Sequence, residues 1–556
     1  MRKQVLISHL SYYKMSTLYH NDNAYHDLSI NLEMFRALDR TVTKIGNKKL
    51  HHRLKYCSSN VDHLEKLAVK NLTIHQDSLY RHDMEIHLNT IKELEPTLDA
   101  WMLNVCNKNL MFSWNILNNR YLLSVSNKMK FSSMVIIIVI YVLIYLCMNY
   151  YGFSISATDY IRQIINGYYQ FVKLMCYFIV SNKEWLEWIA IGLTTLYIGY
   201  QLYMTYQTVN SCYEHYSLCN DFYADYQAIA KYIDTVQAMR SIEIHTNDDQ
   251  LLKVDESLAY LKYYFTEDVT LGFSLVTKMN TESYVKHIDI LGNFVGRIDC
   301  GISIAKLIDE GFTIPKFINA QFPVLHLEGV WNPLIPHKKR IKNSLIMNVT
   351  KPNVLIITGP NKAGKSTFMR SVMTSIYLAQ SIGISCCDKI GLTPFIDLFT
   401  YLNVPDCIGR ESLFEAELNR CYKYIEKIES FRGFSIGIVD ELFTGTNPKE
   451  GKAASFAVLK RISNNPINIT ILSTHFHDVI NHLDAEKFMF SKFTAKRINN
   501  TFVYDYMMRE GISDQCIALQ LLQERGFDKD IIQDAIAYTK IDNIDDKNSK
   551  VHDVFG

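Results

Sequence analysis

The segment Gly359-Pro-Asn-Lys-Ala-Gly-Lys-Ser366 matches G-x-x-x-x-G-K-[ST] at every fixed position. Its surroundings match the chemistry as well. An apolar, β-branched run from Val354 to Ile357 precedes it, and a helical pattern runs from Gly364 toward Gly383, giving strand, loop and helix in order. Glycines let such a loop wrap its backbone N–H groups around phosphate oxygens, and the helix N-terminus adds positive potential. The phosphate-contacting stretch is therefore Gly359, Pro360, Asn361, Lys362, Ala363, Gly364, Lys365, Ser366 and Thr367. Within it Lys365 reaches toward the β and γ phosphates, and the Ser366 hydroxyl serves Mg²⁺.

A second segment, FSIGIVDELFTGT from Phe434 to Thr446, reads as an apolar strand ending in two adjacent carboxylates. Asp440 is placed to hold the Mg²⁺ shell. Glu441 is placed to orient or deprotonate the water that attacks a γ-phosphate. A third apolar strand, Ile469 to Ser473, ends in Thr474 and His475. Open α/β sheets bind ligands at the carboxyl ends of their strands, so His475 can hydrogen-bond the phosphate or the water, with His477 as its neighbouring competitor.

These residues resemble the MutS family of ATPases, whose nucleotide domain is related to that of the ABC transporters. TGPNKAGKST is similar to the family's T-G-P-N-x-x-G-K-S-T, DELFTGTNPKEG to D-E-x-x-x-G-T-x-x-x-[ED]-G, and STHF to the family's switch-histidine motif. The resemblance implies ATP and Mg²⁺ as cofactors, hydrolysis of ATP and a dimer. LFTYLNVPDCIGRESLFEAELNR, residues 398–420, resembles a family segment whose serine crosses the dimer interface to the other subunit's γ-phosphate. Ser412 takes that part here, one residue out of step because of the additional Glu411, and Ser412 with Glu415 also reads as a helix capping box. Asn343 resembles the family asparagine near the adenine. Residues 27–76 resemble the start of the family's helical core, where Thr41, Thr43 and Gly46 mark a turn and leucines recur at near-helical spacing. The final portion to Lys540 resembles the closing strand and the short helices that support dimerisation. DNA is implied as a partner by the resemblance alone.

Those motifs sit in a chain of 556 residues, long enough for several domains, with 21% charged residues and a net charge of +1. Such a balance offers no global basic field for nucleic acid. Twelve scattered cysteines without a C-x-x-C pair argue against a zinc ribbon or a disulfide framework, and MRKQVLISHLSYYKMS makes a poor secretory signal. With the helical core beginning by about residue 25, no room remains before it for the family's mismatch-reading module and connector. A Phe-Thr-Glu at 265–267 lies in the wrong place to be that module's wedge.

The stretch MVIIIVIYVLIYLCMNYYGF, residues 134–153, carries no formal charge, and Trp188 to Val209 forms a second uncharged run. Twenty helical residues span about 30 Å, the thickness of bilayer hydrocarbon. The expected fold is thus an α/β P-loop, ABC-like ATPase domain plus an α-helical core interrupted by a two-helix transmembrane hairpin. Domains follow as an N-terminal extension at 1–24, core at 25–126, hairpin at 127–210, core again at 211–320, ATPase domain at 321–540 and a disordered tail at 541–556. On this reading lipid is a partner through 134–153 and 188–209. Both termini and the ATPase domain then face the cytosol, with 159–187 as the far loop. A soluble DNA-repair ATPase and a non-hydrolysing ATP-binding scaffold are the rival readings.

Overall fold

The computed structural model describes the chain from Leu18 to Tyr538 except for 107–141, 151–155, 178–182, 266–280, 403–412 and several shorter stretches. Ser412, residues 134–141, the Phe-Thr-Glu glutamate and the tail at 541–556 lie outside the described residues. Two compact units emerge, one from residues 1–88 with 293–556 and the other from 89–292.

In the first unit, the leucine spacing of the sequence becomes helices at Lys44–Leu54 and Val61–Gln76. Leu50, Leu54, Leu64 and Ala68 turn inward at helical intervals and join Cys300, Ile304 and Leu307 in one hydrophobic cluster. Thr43 caps the first of these helices, its hydroxyl accepting the Gly46 N–H at 2.9 Å. Asp299, fully buried, holds that turn: its carboxylate accepts the N–H of Val42 at 2.9 Å, the N–H of Thr43 at 2.8 Å and the Thr43 hydroxyl at 2.7 Å. Burial pushes the Asp299 carboxyl pKa up, and the hydrogen bonds from Thr43 and Val42 oppose the shift. Asp299→Ala leaves these donors unpaired inside the core, so it should lower unfolding stability by about 3 kcal/mol in urea titration of the full chain.

The nucleotide domain is a six-stranded sheet. Its strands are β1 (Val354–Thr358), β2 (Asp397–Tyr401), β3 (Ser435–Asp440), β4 (Asn468–Ser473), β5 (Phe488–Lys492) and β6 (Arg509–Glu510), in the order β6-β5-β1-β4-β3-β2. All neighbours are parallel except the β5–β6 pair. The runs of Ile, Leu and Val in β1, β3 and β4 are buried on both faces, as strands of a covered parallel sheet must be. Three helices accompany it: α1 (Lys365–Ser381), α2 (Leu413–Ser430) and α3 (Pro448–Ser463). The carboxyl ends of β1, β3 and β4 lie side by side at one edge, where Ser473 pairs with Asp440 in register. A smaller four-stranded sheet, which includes Leu325–Val330 and Asn343–Met347, stands beside it in the chain.

The second unit is helical, with helices at Ala157–Tyr177, Lys183–Ile242 and Asp248–Tyr264. Here the structure corrects the expected transmembrane hairpin. No helix among the described residues is long and apolar enough to cross a membrane. The run from Trp188 to Val209 has no ends of its own, being part of a helix of 60 residues. Thr194, Thr195, Gln201, Thr205, Gln207 and Thr208 dilute its apolar side chains below what a span requires. Nor is it a buried core helix, because Trp188, Leu196 and Leu202 are exposed. Of residues 134–153 only 142–146 and 148–150 are described, and they are helical. The expected far loop, 159–187, is mostly the helix Ala157–Tyr177, whose Lys173 pairs with Glu187 at 2.7 Å. With no span among the described residues, the expected lipid partner and membrane location with cytosol-facing termini are not supported.

Candidate functional site

The loop after β1 turns through three left-handed residues, Gly359 (φ 139°), Lys362 (φ 68°) and Gly364 (φ 106°). Gly359 has no substitute, since a Cβ there would lie 2.4 Å from the Phe493 carbonyl oxygen. Such a curl gathers successive N–H groups into an anion-binding concavity. Gly364 caps α1 without a side-chain hydrogen bond, so the first-turn amides of α1 have no side-chain acceptor. Ser366 is half-buried and Thr367 exposed in that first turn, while Asn361 and Lys362 are exposed at the loop tip.

Lys365 is 5% exposed and turns back on its own loop. Its ammonium donates to the Gly359 carbonyl at 2.7 Å and to the Pro360 carbonyl at 3.4 Å. Burial pulls its pKa down, opposed by the nearby carboxylates of Glu441 and Asp440. At the end of β3, Asp440 accepts a short hydrogen bond from the Ser473 hydroxyl of β4. Glu441 follows in a left-handed conformation, φ 60°, and Phe443 repeats it at φ 56°. Such backbone in non-glycine residues costs roughly 1–3 kcal/mol each and persists only where the surroundings enforce it. Part of that enforcement is the Glu441 N–H, which donates to the Ser473 carbonyl at 3.2 Å.

The Glu441 carboxylate meets His475 Nε2 at 2.9 Å. The same nitrogen lies 2.8 Å from the Asn361 side-chain oxygen and 3.3 Å from Lys365 Nζ. With two acceptor oxygens facing it, Nε2 is assigned the proton. The hydrogen bond from His475 holds the Glu441 carboxyl below its usual range, against the opposing effect of burial. The loop, β3 and β4 thus deliver Lys365, Glu441 and His475 to one point. His477, the competing histidine, instead opens the short helix His477–Asn481.

Asn343 is nearly buried, and its amide is engaged by backbone: Nδ2 donates to the Tyr506 carbonyl at 3.0 Å, and Oδ1 accepts the Met508 N–H at 2.7 Å. It thereby fixes Tyr506, which the motif reading passed over. Tyr506 is 45% exposed, sits at φ 55°, and packs its ring on Gly364, where a Cβ would lie 3.2 Å from Cδ1. The only trace in the sequence is the aromatic cluster of TFVYDYMM, which has no diagnostic spacing. α2 begins at Leu413, directly after Ser412.

Residues 355–542 match the family model MutS domain V. Among curated relatives, the DNA mismatch repair protein MutS of Clostridium tetani is 25% identical over 307 residues, 52% of this chain and 32% of the relative. The protein of the same name from Clostridium perfringens is 22% identical over 397 residues, covering 69% and 41%. That of Clostridium botulinum strain Okra is 25% identical over 311 residues, covering 53% and 31%. The matched chain therefore spans between about a third and two fifths of the length of these relatives. The phosphate loop, the paired carboxylates and the strand-end histidine all lie inside the region that matches MutS domain V.

Proposed function

We propose that this site binds Mg²⁺–ATP and hydrolyses it, and that the chain works on DNA in the repair setting named by its relatives. One observation carries the enzymatic part: a buried lysine, a carboxylate and an imidazole from three separate segments converge within 3.3 Å beside a loop built for phosphate. The donor set fits the ligand. An uncapped helix start and the loop amides suit phosphate oxygens, and the Ser366 hydroxyl and Asp440 carboxylate are oxygen donors of the kind Mg²⁺ takes.

When bound, the magnesium nucleotide supplies a γ-phosphoryl group and a metal ion that neutralises charge on it. Lys365 exchanges the carbonyls of Gly359 and Pro360 for phosphate oxygens, a stronger charge-assisted contact. Ser366 and Asp440 would hold the metal, with Ser473 fixing the Asp440 carboxylate. Glu441, ionised and held by His475, is placed to accept a proton from the attacking water. His475 orients Glu441 and screens its charge. Tyr506 offers a face for the base, and in a homodimer Ser412 of one subunit reaches the nucleotide of the other.

The reading is tested on purified full chain by measuring ATP turnover with and without Mg²⁺, and by titrating labelled duplexes with and without a mismatch at several salt concentrations. Magnesium-dependent turnover and salt-sensitive duplex binding are expected. Absence of nucleotide binding sinks the first part, and absence of duplex binding the second. Tyr506→Ala should weaken ATP binding about 10-fold in a fluorescent-nucleotide titration, with Tyr506→Phe near wild type, because the stacking face is kept.

A further inference from the structure

We infer that Glu417 of α2 is a positioning residue for hydrolysis, fixing the turn that carries Glu441; the inference rests on the reading of the site given above. Glu417 is 3% exposed, although no lysine, arginine or histidine forms an ion pair with it among the described residues. Its carboxylate instead grips backbone. Oε1 accepts the Thr444 N–H at 3.2 Å and the Thr444 hydroxyl at 2.8 Å, and Oε2 accepts the Gly445 N–H at 3.1 Å. Both oxygens are used, and every donor belongs to the turn that begins with Glu441.

That turn needs holding. Glu441 and Phe443 both have left-handed backbone, which relaxes unless neighbours oppose it. Ser455 of α3 donates to the Leu442 carbonyl at 3.3 Å, and Gly451 comes so close to Phe443 that a Cβ would lie 2.6 Å from its carbonyl oxygen. These contacts brace the turn from α3. Glu417 braces it from α2, 27 residues away in sequence, so the turn is clamped between two helices. Removing one jaw lets the peptide planes of 442–445 rotate, and Glu441 shifts with them. Among the described residues Lys365 and its loop reach this turn by hydrogen bonds only through the His475–Glu441 contact, so nucleotide affinity is separable from turnover.

A carboxylate is required, not merely an acceptor. Glutamine has one acceptor oxygen and presents N–H groups where the second donor points, so one arm is lost without loss of volume. Glu417→Gln and Thr444→Val, in the full-length chain, test the two sides of the clamp. Glu417→Gln should lower kcat about 10-fold while the Kd for a fluorescent ATP analogue with Mg²⁺ stays within about twofold, as expected for a displaced reacting group. Thr444→Val should lower it by a smaller factor, and the double variant no further than Glu417→Gln alone. Amide hydrogen exchange at 442–446 should accelerate in Glu417→Gln while that of 436–439 in β3 does not. Unchanged kcat, a parallel loss of affinity and kcat, or unchanged exchange at 442–446 overturns the inference. Wild-type protein that binds nucleotide without turnover would defeat only the hydrolytic reading, and the exchange measurement would still decide the role of Glu417.

Discussion

Glu441→Gln is expected to lower ATP turnover by about 10²- to 10⁴-fold, the range over which a positioned general base contributes, while ATP binding is kept. The substitution removes the proton acceptor but preserves volume and an oxygen that His475 can still approach. In the folded protein Glu441 is ionised well below neutrality, because the His475 hydrogen bond favours the charged form more than burial disfavours it. Single-turnover hydrolysis alongside a nucleotide titration separates the two effects. Turnover within a few fold of wild type would remove Glu441 as the proton acceptor and leave activation of the water to another group.

Lys365→Ala should have the opposite signature, weakening ATP binding by about 100-fold, as loss of a buried charge-assisted contact to phosphate costs on the order of 2–3 kcal/mol. The ammonium is already desolvated, and it rests on two loop carbonyls within 3.4 Å. It therefore gives up little hydration when phosphate oxygens replace those carbonyls. Equilibrium titration with a fluorescent ATP analogue measures the change, and thermal denaturation without nucleotide checks that the loop still folds. Undiminished affinity in a folded variant would show that the loop amides alone hold the phosphates.

The two substitutions act on groups that a linear reading located, for a reason of geometry. A phosphate loop is contiguous, so Gly359 to Ser366 carry strand end, curl and helix start in eight consecutive letters. Asp440 and His475 were legible for a related reason: each follows an apolar strand, and parallel strands finish at one edge. The apolar stretch at 188–209 misled because counting uncharged residues overlooks the uncharged polar ones, and its threonines and glutamines dilute it below what a span requires. The helix Lys183–Ile242 that contains it is not apolar enough to cross a membrane.

Glu417 shows the other limit. Around Ser412 the resembled segment holds both Glu415 and Glu417, and only Glu415 drew a role, in a capping pattern; the buried Glu417 carboxylate holds Thr444 and Gly445. Asp299 serves Thr43 across 256 residues, and Asn343 serves Tyr506 across 163. By itself, then, the sequence determined the chemistry that neighbouring residues build: the phosphate loop, the paired carboxylates, the strand-end histidine and the leucine faces of the helices. Tertiary structure alone decided which distant side chains hold that chemistry in place. Hydrogen bonds and helix ends depend on position in space, and no local spacing encodes the distance between residues hundreds of positions apart.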